Sequence, residues 1–338
     1  MQEFNDTLTK TKKTEESYRT RAKLNIENFK KEMGVTTFSE EDASSFVDWT
    51  ISKKASISKS YWRQRKAAGV FFLSELGFSD ASNLLKETDS QGAYTYRTKK
   101  ERETKGKTSA TKAKKISVDD EKKIYAWLQK TYSSQWSKPT LLYLRATVLS
   151  GLRPCEWAGS EFNDNLADEN GKELGCSLKV INAKSTNLRA HGKFRHIILS
   201  DMDKDDIEII KGHMRSIKKH MNINGITFEK YQKEVSRRLS TAITKIWPSR
   251  KMKITLYSGR HQFSANYKAA GFSRAEIAAL MGHATDETAG QHYGRKKAGR
   301  KTGGLVKALN SEVQKIRVMI GDGPSHSPRS KKSNFPRL

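Results

Sequence analysis

The stretch that decides the fold runs from residue 257 to residue 293 and reads YSGRHQFSANYKAAGFSRAEIAALMGHATDETAGQHY. Its apolar residues recur at helical spacing, which predicts a first helix that begins at Arg260 and ends at Gly271. Gly282 is expected to end a second short helix, because glycine adopts the left-handed conformation that closes many helices. A third helix would follow, so the stretch predicts three short helices with glycines at the corners.

Three side chains in this stretch suit phosphate chemistry, and each belongs to a different predicted helix or its end. They are Arg260, His283 and Tyr293. A guanidinium and an imidazole held near one phenol can both neutralise a phosphate, which favours phosphoryl transfer to tyrosine. Taken singly, each is more often an ordinary core or surface residue, so the interpretation depends on partners elsewhere in the chain.

Composition narrows the partner and the compartment. The 338 residues hold 64 Lys and Arg against 37 Asp and Glu, a formal net charge of +27, which predicts a polyanionic partner, most simply nucleic acid. The length favours two domains, and no apolar run is long enough for a membrane span or a signal peptide. Cys155 and Cys176 are too few for a disulfide framework or a zinc finger, so we expect a cytoplasmic protein.

The amino-terminal part predicts a small all-α module. Residues 1–14 are expected to form a flexible arm and residues 15–95 a helical domain that clamps DNA. Within it, a helix near 58–76 has one apolar face and one basic face. The basic residues proposed to contact DNA phosphates are Lys59, Arg63, Arg65 and Lys66, although an ordinary solvated face explains them equally well.

A basic linker is predicted at 96–116. From residue 97 to residue 115 the chain holds nine Lys or Arg against two Glu, a net charge of +7, without apolar periodicity. Such a segment can follow a nucleic-acid backbone. Its proposed DNA-binding residues are Lys99, Lys100, Lys105 and Lys107.

The second domain, predicted at 117–304, supplies further candidates. Arg153 follows a glycine at a helix junction, with Pro154 placed to start the next helix and Glu156 one turn on. A surface ion pair between Arg153 and Glu156 is the alternative explanation. Alternating residues then predict a β-hairpin with a long polar loop, in which Lys184 stands where the first strand ends.

The carboxyl-terminal part predicts one more helix and a tail. Apolar residues at helical spacing indicate an amphipathic helix at 305–320, which would dock either on a neighbouring subunit or on its own domain. The tail at 321–338 is rich in Pro, Ser and basic residues, so we expect it to be disordered.

Together these motifs resemble the tyrosine recombinase (phage-type integrase) family. The segment 151–156, GLRPCE, looks like the family's first-arginine motif, and Lys184 stands where the family keeps a hairpin lysine. Arg260-His261 looks like the second-arginine motif, and LMGH at 280–283 with HY at 292–293 looks like the family's ending. The resemblance implies a mainly α fold with a small β-hairpin or sheet (α+β), made of an all-α core-binding domain and a catalytic domain.

The resemblance also implies an activity: a site-specific DNA recombinase of integrase or transposase type, working through a 3′-phosphotyrosyl intermediate and a Holliday junction. It implies that the partner is double-stranded DNA, bound by a homotetramer on paired sites, with room for accessory DNA-bending proteins. It further implies that no cofactor or metal is needed and that the protein is associated with the bacterial nucleoid. The implied catalytic residues are Tyr293, Arg153, Lys184, Arg260 and His283. Supporting roles fall to Tyr257, His261, Glu156 and His292.

One position departs from the family pattern, and two other functions stay open. The family usually has His three residues before the second arginine, where this chain has Tyr257; a phenol can donate a hydrogen bond but cannot carry positive charge. Tyr267 is a rival phenol, which its helical spacing assigns to the core. A type IB topoisomerase-like relaxase would use the same residues, and a non-catalytic DNA-binding protein would share only the charge.

Overall fold

The computed structural model describes residues 12–87, 112–183, 185, 190–288, 293–300 and 304–319. Several predictions therefore lie outside the described residues: those for the arm before residue 12, the tail from 321, Lys99, Lys100, Lys105, Lys107, Lys184 and His292. The side chain of Lys59 is likewise not described. The chain divides into two compact units, Met1–Lys107 and Thr108–Leu338. The predicted α+β class is confirmed, because helices dominate and a single small antiparallel sheet is found among the described residues.

The first unit is helical throughout its described part. Its helices are α1 (Lys12–Met33), α2 (Glu41–Ser52), α3 (Lys59–Glu75) and α4 (Ser79–Glu87). Aromatic side chains form its core, since Phe29 packs edge-on against Phe46 and Trp62 is fully buried. Ser58 caps α3 as its position suggests, by accepting a hydrogen bond from the backbone N–H of Tyr61 at 3.2 Å.

Arg65 does not lie on the exposed basic face predicted for α3. Its side chain is buried, and its guanidinium lies 4.6 Å from the ring centre of Trp49. Burial lowers the pKa of Arg65. The exposed position predicted for Arg65 is therefore wrong, because a cation–π contact holds the side chain against Trp49. Its contact with DNA phosphates stays a prediction. Arg63 remains exposed on the same helix.

The second unit is built around a central helix. Its longer helices are α5 (Val118–Lys130), α6 (Ser137–Ser150), α7 (Lys204–Asn224), α8 (Phe228–Ile246), α9 (Leu256–Ala270) and α10 (Arg274–Leu280). Helix α6 packs against α5, α7, α8 and α9, and is buried along most of its length. Residues 112–116, predicted as linker, belong to this unit: Ala113 and Ile116 are buried, and the N–H of Ala113 donates to the carbonyl of Lys253.

A four-stranded antiparallel sheet covers one side of this unit. Its strands, in spatial order, are β1 (Glu161–Ala167), β2 (Glu173–Ile181), β3 (Phe194–Ile198) and β4 (Lys307–Ala308). The predicted hairpin is the pair β2–β3, in which Val180 lies opposite Arg195. Strands β1 and β4 extend the hairpin into a sheet on either side.

The predicted helix at 305–320 is wrong. The described residues form β4, which pairs with β3, and a five-residue helix α11 (Asn310–Gln314). The backbone of this segment bonds to side chains of its own unit instead of forming a long helix. The N–H of Val306, for example, donates to the Tyr267 hydroxyl at 2.5 Å. The segment thus packs on its own unit.

None of the helices in the part of the chain that the structure describes has the length and apolar character needed to cross a membrane.

Glu312 should hold this terminal segment on the sheet. Its carboxylate is buried and accepts hydrogen bonds from the backbone N–H of His196 at 2.8 Å and from the His196 ring at 3.1 Å. We expect Glu312→Ala to lower the free energy of unfolding by about 1–3 kcal/mol, because the partly buried backbone N–H of His196 loses its acceptor. Hydrogen exchange should show faster exchange of the His196 amide.

The matched control is Gln314→Ala, an exposed position on the same short helix. It should leave stability and the His196 amide unchanged. Equal protection of His196 in the Glu312 variant and the wild type would show that the carboxylate does not hold the segment.

Candidate active site

A buried phenol lies at the centre of the second unit. The Tyr293 side chain is 9% exposed, and its hydroxyl lies 3.0 Å from the Tyr257 hydroxyl. Arg260 Nε donates to the Tyr293 hydroxyl at 3.3 Å, and His283 Nε2 lies 3.3 Å from the same oxygen. The structure therefore brings together three of the predicted catalytic residues and one predicted supporting residue.

Arg260 is fixed by backbone carbonyls as well as by its helix. Helix α9 begins at Leu256, one turn earlier than predicted, because Thr255 and Ser258 form a capping box. The buried guanidinium donates from Nη1 to the carbonyl of Gly151 and from Nη2 to that of Met281, both at 2.6 Å. These bonds set the plane of the guanidinium and leave Nε directed at the phenol.

His283 follows a glycine that the packing requires. Gly282 has φ +64, and a Cβ at this position would lie 2.7 Å from Nη1 of Arg195. Arg260 Nη2 lies 3.0 Å from His283 Nε2, and since a guanidinium only donates, Nε2 must accept. Burial, and then the charges of Arg260 and Arg153, hold the pKa of His283 well below its ordinary value. The ring is a neutral imidazole with its lone pair at Nε2.

A buried carboxylate holds the arginines in place. Glu156 accepts from the backbone N–H of Arg153 at 2.7 Å, from Arg153 Nη1 at 2.5 Å and from Arg195 Nη2 at 2.8 Å. Arg260 Nη1 lies 3.8 Å from the same carboxylate. Burial alone would raise the pKa of Glu156, but the charges of Arg195, Arg260 and Arg153 hold it well below its ordinary value. The surface ion pair considered for Arg153 and Glu156 is thus excluded by their burial.

Arg195 is a member of this cluster that sequence reasoning missed. It is fully buried, and its Nε donates to the carbonyl of Leu280 at 2.8 Å. The alternation of β3 is the signal that could have found it: Phe194 is exposed, whereas Arg195 and Ile197 are fully buried on the inward face. An arginine in register with core residues needs a buried anion, which Glu156 supplies.

The two phenols at the centre have unequal acidity. Burial would raise the pKa of Tyr293, but the charge of Arg260, the hydrogen bonds from Tyr257 and Arg260, and the charge of Arg153 together lower it. Burial and the neighbouring Tyr293 instead raise the pKa of Tyr257 to about 12. Tyr293 is therefore the phenol that loses its proton first.

Two further candidates have simpler roles. The His261 ring lies 5.2 Å from the Tyr293 ring and 5.3 Å from the Tyr257 ring, and burial, followed by the charge of Lys114, lowers the pKa of His261 to about 4. It is a neutral wall of the pocket. Tyr267 is core as predicted, because it is 3% exposed and stacks on Phe263 at 4.2 Å.

The start of the long β2–β3 loop is tied to the same carboxylate. The backbone N–H of Ala183, the residue before Lys184, donates to Glu156 at 3.3 Å. The roles of Lys184 and His292 remain predictions. Among the described residues, no group of three or more His, Cys, Asp or Glu side chains is arranged to hold a metal ion.

No protein-family model matches the chain, and a search of curated proteins finds no similar sequence. Solved structures are similar to it at low identity. A lambda integrase tetramer bound to a Holliday junction is 18% identical with a TM-score of 0.42, covering 88% of this chain and 75% of its own. A protelomerase covalently complexed with substrate DNA is 14% identical, with a TM-score of 0.43 and coverage of 94% and 91%.

The Tn1549 transposon integrase in complex with transposon right end DNA is 13% identical with a TM-score of 0.40, covering 86% of this chain and 94% of its own. At identities and TM-scores this low, what the chain does has to be inferred from its own residues.

Glu156 should make the second unit sensitive to acid. Its folded-state pKa is depressed, so its contribution to stability is present above its ordinary pKa of 4.5 and is lost as pH falls below that value. We expect Glu156→Gln to cost about 3–5 kcal/mol near neutrality, because three buried guanidiniums lose their counter-charge. Urea titrations at several pH values would measure both effects.

Glu169→Gln, at an exposed position of the same unit, is the control and should behave as wild type. Between pH 6 and pH 3 the wild type should lose more stability than the Glu156 variant. If the free energy of unfolding of the wild type and of Glu156→Gln changed with pH in parallel, the assignment of the acid sensitivity to Glu156 would be contradicted.

Proposed function

We propose that the chain is a DNA strand-breaking and rejoining enzyme of the tyrosine recombinase type. The observation that carries the proposal is the Tyr293 hydroxyl, held within hydrogen-bonding distance of Arg260 and His283 in a buried, positively charged pocket. A phenol in such surroundings is suited to attack a phosphate, since the neighbouring cations lower its pKa and stabilise the negative charge of the transition state.

The charge of the pocket favours a phosphodiester as the group that binds there. Arg153, Arg195 and Arg260 bring three positive charges against one negative charge on Glu156, a difference of +2. Because the cluster is buried, this excess is screened less than it would be in water, and a bound anion would relieve it. Arg153 and Arg260 would donate to the non-bridging oxygens only from N–H groups that are not already bound to Glu156 or to the Gly151 and Met281 carbonyls.

The reaction can be written with its protons balanced. The Tyr293 oxygen forms a bond to phosphorus, the bond from phosphorus to the 5′ oxygen breaks, and a 3′-phosphotyrosyl ester remains. The proton of Tyr293 passes to His283 Nε2, which requires Arg260 Nη2 to give up its hydrogen bond to that nitrogen. The leaving 5′ oxygen takes a proton from Lys184, the role that the family resemblance implies for it. Attack by a free 5′ hydroxyl on the ester reverses these steps and rejoins a strand.

DNA would be held by the wider basic surface. The net charge of +27, the linker lysines and the α3 residues Arg63 and Lys66 support duplex binding that weakens as salt rises. Exchange between two duplexes would use a homotetramer on paired sites and pass through a Holliday junction, the kind of DNA named in the lambda integrase structure. The chain would then act on DNA in the cytoplasm, as an integrase or a transposase.

Tyr293→Phe tests the nucleophile. The variant should bind duplex DNA as the wild type does but form no covalent adduct, because it lacks the attacking oxygen. The measurement is a denaturing gel after the protein has been incubated with duplexes from the DNA that flanks its gene and quenched with detergent.

Tyr267→Phe is the matched control, because that phenol lies in the core, and it should still form the adduct. An adduct that persists in the Tyr293 variant would move the nucleophile elsewhere. Supercoiled plasmids with and without paired sites separate the alternatives: relaxation without sites indicates a topoisomerase-like relaxase, exchange only with sites a recombinase, and neither a DNA-binding protein.

Arg260→Lys tests the guanidinium fork. An ammonium cannot donate to two carbonyls and to the Tyr293 hydroxyl at once, so the charge would be kept while the geometry is lost. We expect the rate of adduct formation to fall about 10²–10³-fold, the effect of losing one preorganised donor to a transition-state oxygen.

The same change at Arg237 should leave the rate of adduct formation unaltered, because its exposed side chain on α8 pairs with Glu234 instead of with the site. A rate in the Arg260 variant equal to that of the wild type would remove Arg260 from the reaction.

A further inference from the structure

Tyr257 occupies a position from which it can control the nucleophile. It lies in the first turn of α9, three residues before Arg260, and its hydroxyl is 3.0 Å from that of Tyr293. The two rings are roughly parallel, with 24° between their planes and 6.4 Å between their centres. The two phenols therefore contact each other through their hydroxyl oxygens.

The direction of this hydrogen bond follows from the other partners. Arg260 Nε can only donate to the Tyr293 oxygen. The single lone pair of His283 Nε2 is shared by two donors, Arg260 Nη2 at 3.0 Å and the Tyr293 hydroxyl at 3.3 Å. The Tyr257 hydroxyl has Tyr293 as its hydrogen-bond partner among the described residues. The arrangement that uses every group has Tyr257 donating to Tyr293, and Tyr293 donating to His283.

We propose that Tyr257 is the hydrogen-bond donor that sets the acidity of the nucleophile Tyr293, in the place where the resembling family usually has a histidine. This inference rests on the proposed function for its catalytic meaning. As the bond to phosphorus forms and the Tyr293 proton moves to His283, the O–H of Tyr257 stays directed at the Tyr293 oxygen and stabilises its negative charge. Tyr257 gives up no proton in the step.

Tyr257 is suited to remain protonated through this step. Burial and the nearby Tyr293 raise the pKa of Tyr257 to about 12, so it keeps its hydrogen where Tyr293 loses one. A phenol differs here from an imidazole, because it donates without adding a positive charge and without a protonation change near neutrality.

Several charged and titratable groups face the pair, and of the two phenols Tyr293 is the one whose pKa they lower. From α9 itself come Arg260 and His261, and His261 has a pKa of about 4. Arg153, which follows α6, stays charged. His283, which follows α10, has a pKa well below its ordinary value. Further charged neighbours among the described residues are Glu156 and Arg195, behind the other arginines, and Lys114 and Lys268, beside His261.

The first test needs no DNA. Tyrosines carrying ¹³C at Cζ would be observed by NMR from pH 6 to pH 12, with Tyr293 assigned through Tyr293→Phe. In Tyr257→Phe the pKa of Tyr293 should rise by about one to two pH units, the scale of one hydrogen bond to a charged group. Tyr257→His restores a donor and should bring the pKa back toward the wild-type value.

The second test follows adduct formation against pH on the flanking duplexes. In Tyr257→Phe the rising limb of the profile should move to higher pH by the same amount, with about a 10–100-fold lower rate near neutrality. Tyr125→Phe, which removes a phenol remote from the pair, should leave the profile in place.

The outcomes separate the two proposals. A folded Tyr257→Phe variant, as shown by circular dichroism and thermal unfolding, in which the Tyr293 pKa stays the same or falls, overturns the inference. If Tyr257→Phe does not fold, the Tyr257→His variant decides. A Tyr293 pKa in that variant that is far above the wild-type value would also overturn the inference, because a donor is present there. A different result is that the Tyr293 pKa rises in Tyr257→Phe as expected while the wild type never forms an adduct with DNA. That result would overturn the proposed function but support the hydrogen bond between the two phenols.

Discussion

The arrangement of this site depends on one buried carboxylate. Glu156 has no exposed side-chain surface, and it accepts hydrogen bonds from Arg153 and Arg195 while Arg260 stands 3.8 Å away. Isolated in a low-dielectric interior, none of these charges would be tolerated, and together they compensate one another only in part. The carboxylate thus fixes three guanidiniums from three separate elements and leaves the pocket positive.

Backbone carbonyls also hold the arginines in place. Carbonyls of Gly151 and Met281 accept from Arg260, and the carbonyl of Leu280 accepts from Arg195, so the ends of α6 and α10 converge on the cluster. Polar groups at helix ends that would otherwise need water become ligands for cations. The site is preorganised in this sense: its donors are oriented by the fold itself.

The sequence predicted the parts of this molecule that local pattern controls. The helix signals, the β2–β3 hairpin and the residues of the resembling motifs all depend on neighbours close along the chain. Strand β1 was missed because it is largely polar and exposed, without the alternation that marks a half-buried strand. The segment after 304 was mistaken for a helix because its apolar residues fit helical spacing, while its actual partners, Tyr267 and His196, are distant in sequence.

The same contrast holds within the site. Arg260, His283 and Tyr293 could be named from their motifs, but which atoms meet could not, since that depends on contacts between helices. Arg195 carries no motif, and Arg65 has the sequence environment of a surface residue although it packs on Trp49. Tertiary packing decides such cases, because the cost of burying a charge depends on what else is buried beside it.

Gly294 determines how closely the Tyr293 segment packs on helix α9. Gly294, the residue after Tyr293, lies so close to the carbonyl of His261 that any Cβ there would overlap it. The phenol is therefore seated against a helix of its own chain. If the chain cuts DNA as proposed, each copy in an assembly would therefore use its own Tyr293, and a mixture of intact and Tyr293-deficient copies would sever only the strands that the intact copies hold.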